Sequence, residues 1–388
     1  MSKLEKAGEL EAQMIAWRRD FHQYPELGFQ ENRTAAKVVE VMQSLGYRVR
    51  SGVGRTGVVC DLGDGHPIVA IRADMDALPI QEANRVPYAS RVEGVMHACG
   101  HDAHTAIALG VATLLAREPF SGTLRFLFQP SEEVNDNEGL SGAPRMIQDG
   151  AMQGVDWVLA LHVGPATRVG VIRIDSGPAS GGVDSFFATI LGKGGHGARP
   201  HESVDPIYIA GLVILALHGI VSRRLDPFSL AVVSLGAIHA GQAENVIPEQ
   251  VEIAGTIRFT DPEVQKQIHI EIEQVLQIAR TMGGDYRLKI EIGTPPMIND
   301  PGVVDQIKVV STELLGEQHV LPMLNGLGAE DFGCFSELAP GAMFSLGCLI
   351  EGDERLHHNP RFDVNESCLP VGAAILAETA LRYLRGAE

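Results

Sequence analysis

Apolar positions along this chain recur with two different periods, and the switches between them outline the architecture. Residues 7–23 and 31–46 place apolar side chains at helical spacing. The short apolar runs VVCDLG and PIVAIRAD then predict strands, Ala103 to Ala116 a helix, and TLRFLFQP a strand. A helix near Ser141 to Gly150 and a strand at DWVLALHV continue the series. Strands alternating with helices indicate an α/β domain around a mostly parallel sheet.

The pattern changes near Gly181. SFFATILGKGGHGARPH reads as a strand entering a glycine-rich loop, and a helix follows from Asp205 to Val221. Two strands, LAVVSLGAIHAG and QVEIAGTIRFT, precede a helix from Pro262 to Met282 and a strand near Tyr286 to Ile292. The order β-α-β-β-α-β is that of a compact ferredoxin-like unit. After PPMIND the α/β style resumes and ends in a helix from Val371 to Arg385. The expectation is a discontinuous α/β main domain, residues 1–182 and 294–388, with an α+β insert at 183–293.

Bulk properties narrow the function classes. With 388 residues the chain is long enough for two domains and a sizeable core. A formal net charge of −18 without a run of Lys or Arg disfavours nucleic acid and anionic membranes as partners. The five cysteines are scattered and odd in number, which argues against a disulfide framework. The N-terminus reads as the start of an amphipathic helix, not a leader, and no apolar run approaches the length of a membrane helix. A cytoplasmic location is the expectation.

Three strand ends carry metal-ligand chemistry. Asp74 and Asp76 follow the first, Glu132 and Glu133 the second, and His162 closes the third. Ligand sites of open α/β sheets lie beyond the carboxyl ends of the strands, so these segments would meet on one rim. A fourth segment, VMHACGHDAHTA, packs His97, Cys99, His101, Asp102 and His104 together before a helix. Thiolate and imidazole suit zinc and similar metals, and the spacing crowds a single tetrahedron. Some ligands should come from here and others from elsewhere; which histidine serves is open at this point. A metal pair would polarise a scissile carbonyl and lower the pKa of a shared water. A carboxylate must then take the water's proton and pass it to the departing amine. Adjacent Glu132 and Glu133 would point opposite ways in extended chain, one toward a metal and the other toward the water.

The insert offers His196 in its glycine-rich loop, Asn245 in AENVIP and Arg258 in GTIRF. A histidine there could donate to a developing oxyanion, and an arginine suits a planar carboxylate. Near the C-terminus His358 lies in a polar loop that could return to the site, and Glu330 could support a ligand from behind. His357 and Asp331 are weaker candidates.

Taken together, RRDFHQYPELGFQE, IRADMDALPIQE, MHACGHDAHTA, FQPSEE, GKGGHGARPH, NVIPE, GAEDF and HNPRFD resemble the amidohydrolases related to hippurate hydrolase. That group includes N-acyl-amino-acid hydrolases, auxin-conjugate hydrolases and N-acetyldiaminopimelate deacetylases, within the di-metal aminoacylase and carboxypeptidase clan. The likeness runs from about Trp17 to Glu366 in order. It implies a di-metal peptidase-like catalytic domain with an inserted lid and dimerisation domain. It implies Cys99, His101, Glu133, His162 and His358 as ligands of two divalent ions per subunit (Mn, Zn, Ni or Co), with Cys99 bridging. It further implies Glu132 as general base, Asp76 as the carboxylate orienting a ligand, and His196 as an oxyanion donor reaching the other subunit. Asn245 and Arg258 match substrate-binding positions. The implied substrate is an N-acyl amino acid and the implied assembly a homodimer, or a tetramer.

Overall fold

The computed structural model describes residues 1–323, 326–352 and 355–386, and the chain divides into two units. The first comprises Met1–Ala179, Ile298–Leu324 and Asp331–Glu388; the second comprises Ser180–Met297 with Asn325–Glu330. The second unit is somewhat wider than the expected 183–293 because its connecting stretches bond to one another. Ser180 N donates to Met297 O, Gly181 N to Gly328 O, and Val183 N to Thr294 O.

The first unit begins with α1 (Lys3–Glu9), α2 (Glu11–Gln23) and α3 (Asn32–Ser44). Next come β1 (Arg48–Val53), β2 (Gly57–Asp64), β3 (Ile68–Asp74), α4 (His101–Leu115), β4 (Gly122–Gln129), α5 (Gly142–Gln148) and β5 (Trp157–Gly164). The second unit contains β6 (Gly182–Leu191), α6 (Pro206–Arg223), β7 (Ala231–Ala240), β8 (Gln250–Phe259), α7 (Pro262–Thr281) and β9 (Asp285–Ile292). The chain then returns to the first unit with α8 (Pro301–Leu315), β10 (Gly341–Gly347) and α9 (Leu369–Arg385).

In the first unit the strands lie in the order β1-β2-β4-β3-β5-β10, extended by the short strands Ile172–Arg173 and Val320–Leu321. The pairs β4-β3, β3-β5 and β5-β10 are parallel, whereas β1-β2 and β2-β4 are antiparallel. The parallel centre is covered on both faces, which is why β3 and β5 read as near-continuous apolar runs. Buried along almost its whole length, α4 is apolar all round. Strands β1 and β10 lacked a clear signal. RVRSGV is a charged, mostly exposed edge, and GAMFSLG is rich in small residues with low strand propensity.

The second unit is a four-stranded antiparallel sheet in the order β7-β8-β6-β9 with α6 and α7 packed against it. In chain order this is the ferredoxin-like arrangement. Helix α6 starts where Asp205 caps the amides of Ile207 and Tyr208, with Pro206 at its first position. It buries Ile209, Val213, Leu217 and Ile220 but exposes Ile207, Tyr208 and Leu215. Its 18 residues are apolar and long enough to cross a membrane by length and composition alone, contrary to the expectation that no such run exists. Its buried stripe is nevertheless part of this unit's core.

A buried ionic cluster ties the N-terminal helices to the rest of the first unit. Arg18, fully buried, donates to Asp102 at 2.8 Å and to Asp363 at 2.7 Å, and His22 Nδ1 meets Asp102 at 2.8 Å. Burial alone would push the Asp102 carboxyl up, but Arg18 and His22 outweigh it and hold it far below the usual carboxylate range. A depressed folded pKa means that this stabilisation is complete above the unfolded value of about 4 and is lost as pH falls below it. Arg18→Leu removes the buried guanidinium shared by Asp102 and Asp363, leaving them His22 and Arg355, and should cost about 3–5 kcal/mol at neutral pH. The loss should shrink as acid neutralises the carboxylates. Urea unfolding at several pH values checks this, and a neutral-pH change below about 0.5 kcal/mol contradicts it.

Candidate metal centre

The strand ends of the first unit deliver the expected chemistry, and hydrogen bonds sort the histidines that spacing could not. Gly100, with φ at +99°, makes the left-handed turn from which α4 starts, so His101 and His104 leave its first turn on one side. His104 Nδ1 donates to Asp74 Oδ1 at 2.6 Å, and its Nε2 accepts from the Val163 amide at 3.0 Å. Both nitrogens are therefore engaged in holding β5 to the end of β3. His97 is buried with both nitrogens unpartnered, and burial pushes its pKa down to about 4.

His101 is arranged differently. Its Nδ1 faces the Asp76 carbonyl at 2.9 Å and Asp76 Oδ1 at 3.2 Å. Its Nε2 is buried without a hydrogen-bond partner, and its donor atoms, with those of Glu132 and Glu133, lie within 4.8 Å of one another. Asp76 also accepts the Glu133 amide through Oδ2 at 3.0 Å, so one carboxylate steadies both neighbours. The two glutamates do not leave an extended chain as expected. β4 ends at Gln129, and Ser131 adopts φ of +44°, a bend that sends both carboxylates toward His101.

Cys99 belongs to two donor sets. One joins it to Glu133 and His358, the other to His162 and His357, each set spanning no more than 4.8 Å. Its sulfur lies 3.5 Å from His162 Nε2, while His162 Nδ1 donates to the Val163 carbonyl at 3.0 Å. His358 Nε2 is 3.0 Å from Glu133 Oε1, and the His358 amide donates to Ala98 O, which returns this C-terminal loop to the Cys99 segment. His357 Nε2 is engaged by the Val163 carbonyl at 3.0 Å.

This donor set fits divalent metal ions. Burial pushes the Cys99 thiol well above its ordinary value, and burial with neighbouring imidazoles holds His162 well below its own. His162 is thus neutral and able to ligate, and a bound cation would reverse the thiol's preference for its proton. The His101 Nε2, buried without a hydrogen-bond partner and close to the Glu132 and Glu133 carboxylates, is suited to such an ion.

Asp331 is not a solvated residue. It is buried and receives Arg72 at 3.0 Å, Gln129 at 2.8 Å and Ser141 at 2.6 Å, and Arg72 also grips Asp74 at 2.6 Å. This scaffold behind the strand ends escaped sequence reading because Arg72 and Gln129 lie inside apolar strands with nothing marking them as paired. Glu330, adjoining Asp331, is buried as well.

In the second unit His196 and Asn245 come together. The exposed His196 pairs in register with Val246, and Gly197 N donates to Asn245 O. Arg258 is not with them. It sits at the opposite end of β8, paired with Val183 and Val232.

The peptidase family M20/M25/M40 matches residues 70–382. The chain is 38% identical over 384 residues to N-acetyl-L-cysteine deacetylase of Bacillus subtilis, covering 98% of this chain and 90% of that protein. Identity to hippurate hydrolase of Campylobacter jejuni is 36%, covering 99% and 100% of the two chains. Thermostable carboxypeptidase 1 of Saccharolobus solfataricus is 38% identical, with 97% and 96% covered. The crystal structure of the Bacillus subtilis YXEP protein, described as a dinuclear metal-binding peptidase, superposes with a TM-score of 0.84 at 33% identity, covering 97% and 99% of the chains. The chain belongs to the M20/M25/M40 peptidase family.

Proposed function

We propose that this protein is a two-metal amidohydrolase that cleaves the amide of N-acyl amino acids to a carboxylate and a free amino acid. The observation that carries this reading is the Cys99 sulfur, shared by two sets of donor side chains beside the glutamate pair. Cys99 would lie between two divalent ions (Mn, Zn, Ni or Co), with His101, Glu133, His162 and His358 as the other ligands. His358 is preferred to His357 because it shares a donor set with Cys99 and Glu133, its Nε2 3.0 Å from Glu133 Oε1. When bound, such ions polarise the amide carbonyl and acidify water.

The chain's own residues then divide the work. The Glu132 carboxylate takes a proton from the attacking water and delivers it to the departing nitrogen. Asp76 holds the His101 ring and the Glu133 backbone in place. Glu330, next to Asp331 in the chain, would be the carboxylate that supports a ligand from behind. His196 donates to the oxyanion, Asn245 assists it, and Arg258 takes the substrate carboxylate. From Gln250 to Arg258 the β8 strand spans roughly 26 Å at ~3.3 Å per residue, and His196 lies beyond the Gln250 end. His196 and Arg258 of one copy therefore cannot meet one small substrate, which favours a site completed by a second chain.

The second unit supplies a surface for that assembly. The outer face of α6 exposes Ile207, Tyr208 and Leu215, and β7 is an open sheet edge flanked by Phe228, 98% exposed. Leu215→Glu should convert a dimer into monomers in light scattering and lower kcat with it. An unchanged dimer would remove this face from the interface. The scattered, odd-numbered cysteines would suit a reducing, cytoplasmic setting.

The carboxypeptidase relative favours a second reading, cleavage of peptides. Manganese-reconstituted protein assayed on hippurate and N-acetyl amino acids against unblocked dipeptides separates the two. Higher kcat/KM on the acylated substrates is expected; turnover of dipeptides alone overturns the amidohydrolase reading.

A further inference from the structure

Four non-glycine residues among those described have positive φ: Phe29, Arg55, Ser131 and His358. His358 is a candidate ligand. The other three gather around one buried carboxylate, Glu31, which is fully shielded from solvent. Glu31 Oε1 accepts the Phe29 amide at 3.0 Å and the Ser131 amide at 2.8 Å, and Oε2 accepts the hydroxyl of Thr56, next to Arg55. The Arg55 guanidinium lies over the Phe29 ring, 4.6 Å from its centre. Conformations of this kind persist only where the surroundings over-determine them.

Ser131 is the elbow immediately before Glu132 and Glu133, and every polar group it owns is held. Its amide goes to Glu31, its hydroxyl donates to Val134 O at 2.8 Å, and its carbonyl accepts Gly142 N at 2.8 Å. Gly28 backs it so closely that a Cβ there would stand 2.3 Å from Ser131 Oγ and 2.7 Å from Val134 Cγ2. The segment from Gly28 to Glu31 thus braces the elbow from a part of the chain 100 residues away.

We propose that Glu31 is a positioning residue for the reaction: by accepting the Ser131 amide, it fixes the elbow that aims Glu132 at the water and Glu133 at the metal. Burial pushes this carboxyl up to about 7, so near neutral pH the protonated form is also populated. Oε1 accepts the two amides in either form. A glutamine offers the same acceptor, and the amide it places at Oε2 can donate to the Thr56 hydroxyl.

The inference rests on the amidohydrolase reading for its effect on turnover, and on metal affinity independently of it. Mn²⁺ binding by calorimetry, kcat and KM are measured for wild type, Glu31→Gln, Glu31→Ala and Gly28→Ala. Glu31→Ala should bind Mn²⁺ about 10-fold more weakly or worse and lose about 10- to 100-fold in kcat, with KM little changed. Glu31→Gln should restore both to within about threefold, a rescue that a merely space-filling role would not single out. Gly28→Ala leaves every charge in place yet crowds Ser131; it should reproduce the loss and serves as the deciding variant if Glu31→Ala does not fold. A folded Glu31→Ala protein with wild-type Mn²⁺ affinity and kcat overturns the proposal. So does a Glu31→Gln protein as impaired as the alanine variant, or an unimpaired Gly28→Ala protein. Absence of wild-type turnover on N-acyl amino acids would instead defeat the amidohydrolase reading, while Mn²⁺ affinity still decides the elbow.

Discussion

Glu132→Gln should abolish nearly all turnover while leaving metal binding intact. The substitution preserves the size of the side chain and does not touch the Ser131 elbow, the Asp76 bond to Glu133 or the donors around Cys99. What it removes is the ability to take a proton from water and return it to the departing nitrogen. General acid–base catalysis of this kind contributes roughly 10²- to 10⁴-fold, and kcat should fall by that factor. KM should change little, because a side chain that moves a proton in the transition state need not bind the ground state. Elemental analysis should find wild-type metal content. A variant with kcat within about threefold of wild type would strip Glu132 of this role.

Cys99→Ala should empty the centre. The sulfur is the one donor common to the Glu133–His358 and His162–His357 sets, so its removal weakens both together. Without a cation, burial outweighs the pull of the neighbouring His101 imidazole and holds the thiol proton in place. With a cation the thiolate forms and binds it, so metal uptake releases a proton. The alanine protein should hold less than about one ion per chain and lose turnover accordingly. Because only one small buried side chain is lost, its metal-free unfolding should stay close to that of the metal-free wild type, which separates metal loss from misfolding. Full metal occupancy in Cys99→Ala would exclude Cys99 as a ligand.

Much of this arrangement was legible from the chain alone because the signal lay in periodicity and strand ends. The runs leading to Asp74, Glu132 and His162 are β3, β4 and β5, and the β-α-β-β-α-β order of the insert folds as a ferredoxin-like sheet. The choice among His97, His101 and His104 was not legible from spacing. It depends on where Asp74, Asp76 and the Val163 amide fall, and these are long-range contacts. The glutamate pair shows a second limit. Alternation along extended chain separates neighbouring side chains, but Ser131 breaks the extension with a positive φ that no residue type announces. Its cause, Glu31, belongs to a motif that marked the family without a stated role. Arg18 and His22 lie in the same motif, and their purpose emerges only when Asp102 and Asp363 come beside them. Arg258 sits at the far end of β8 from His196, a separation that three isolated motifs could not express and that bears directly on how many chains complete a site.

The claim on which the rest depends is that two metal ions share the Cys99 sulfur. A crystal of manganese-loaded protein measured at the manganese absorption edge tests it directly. The expected result is two anomalous peaks per chain flanking Cys99, one beside Glu133 and His358 and the other beside His162. A single peak, or peaks that leave Cys99 without a metal neighbour, would contradict the account.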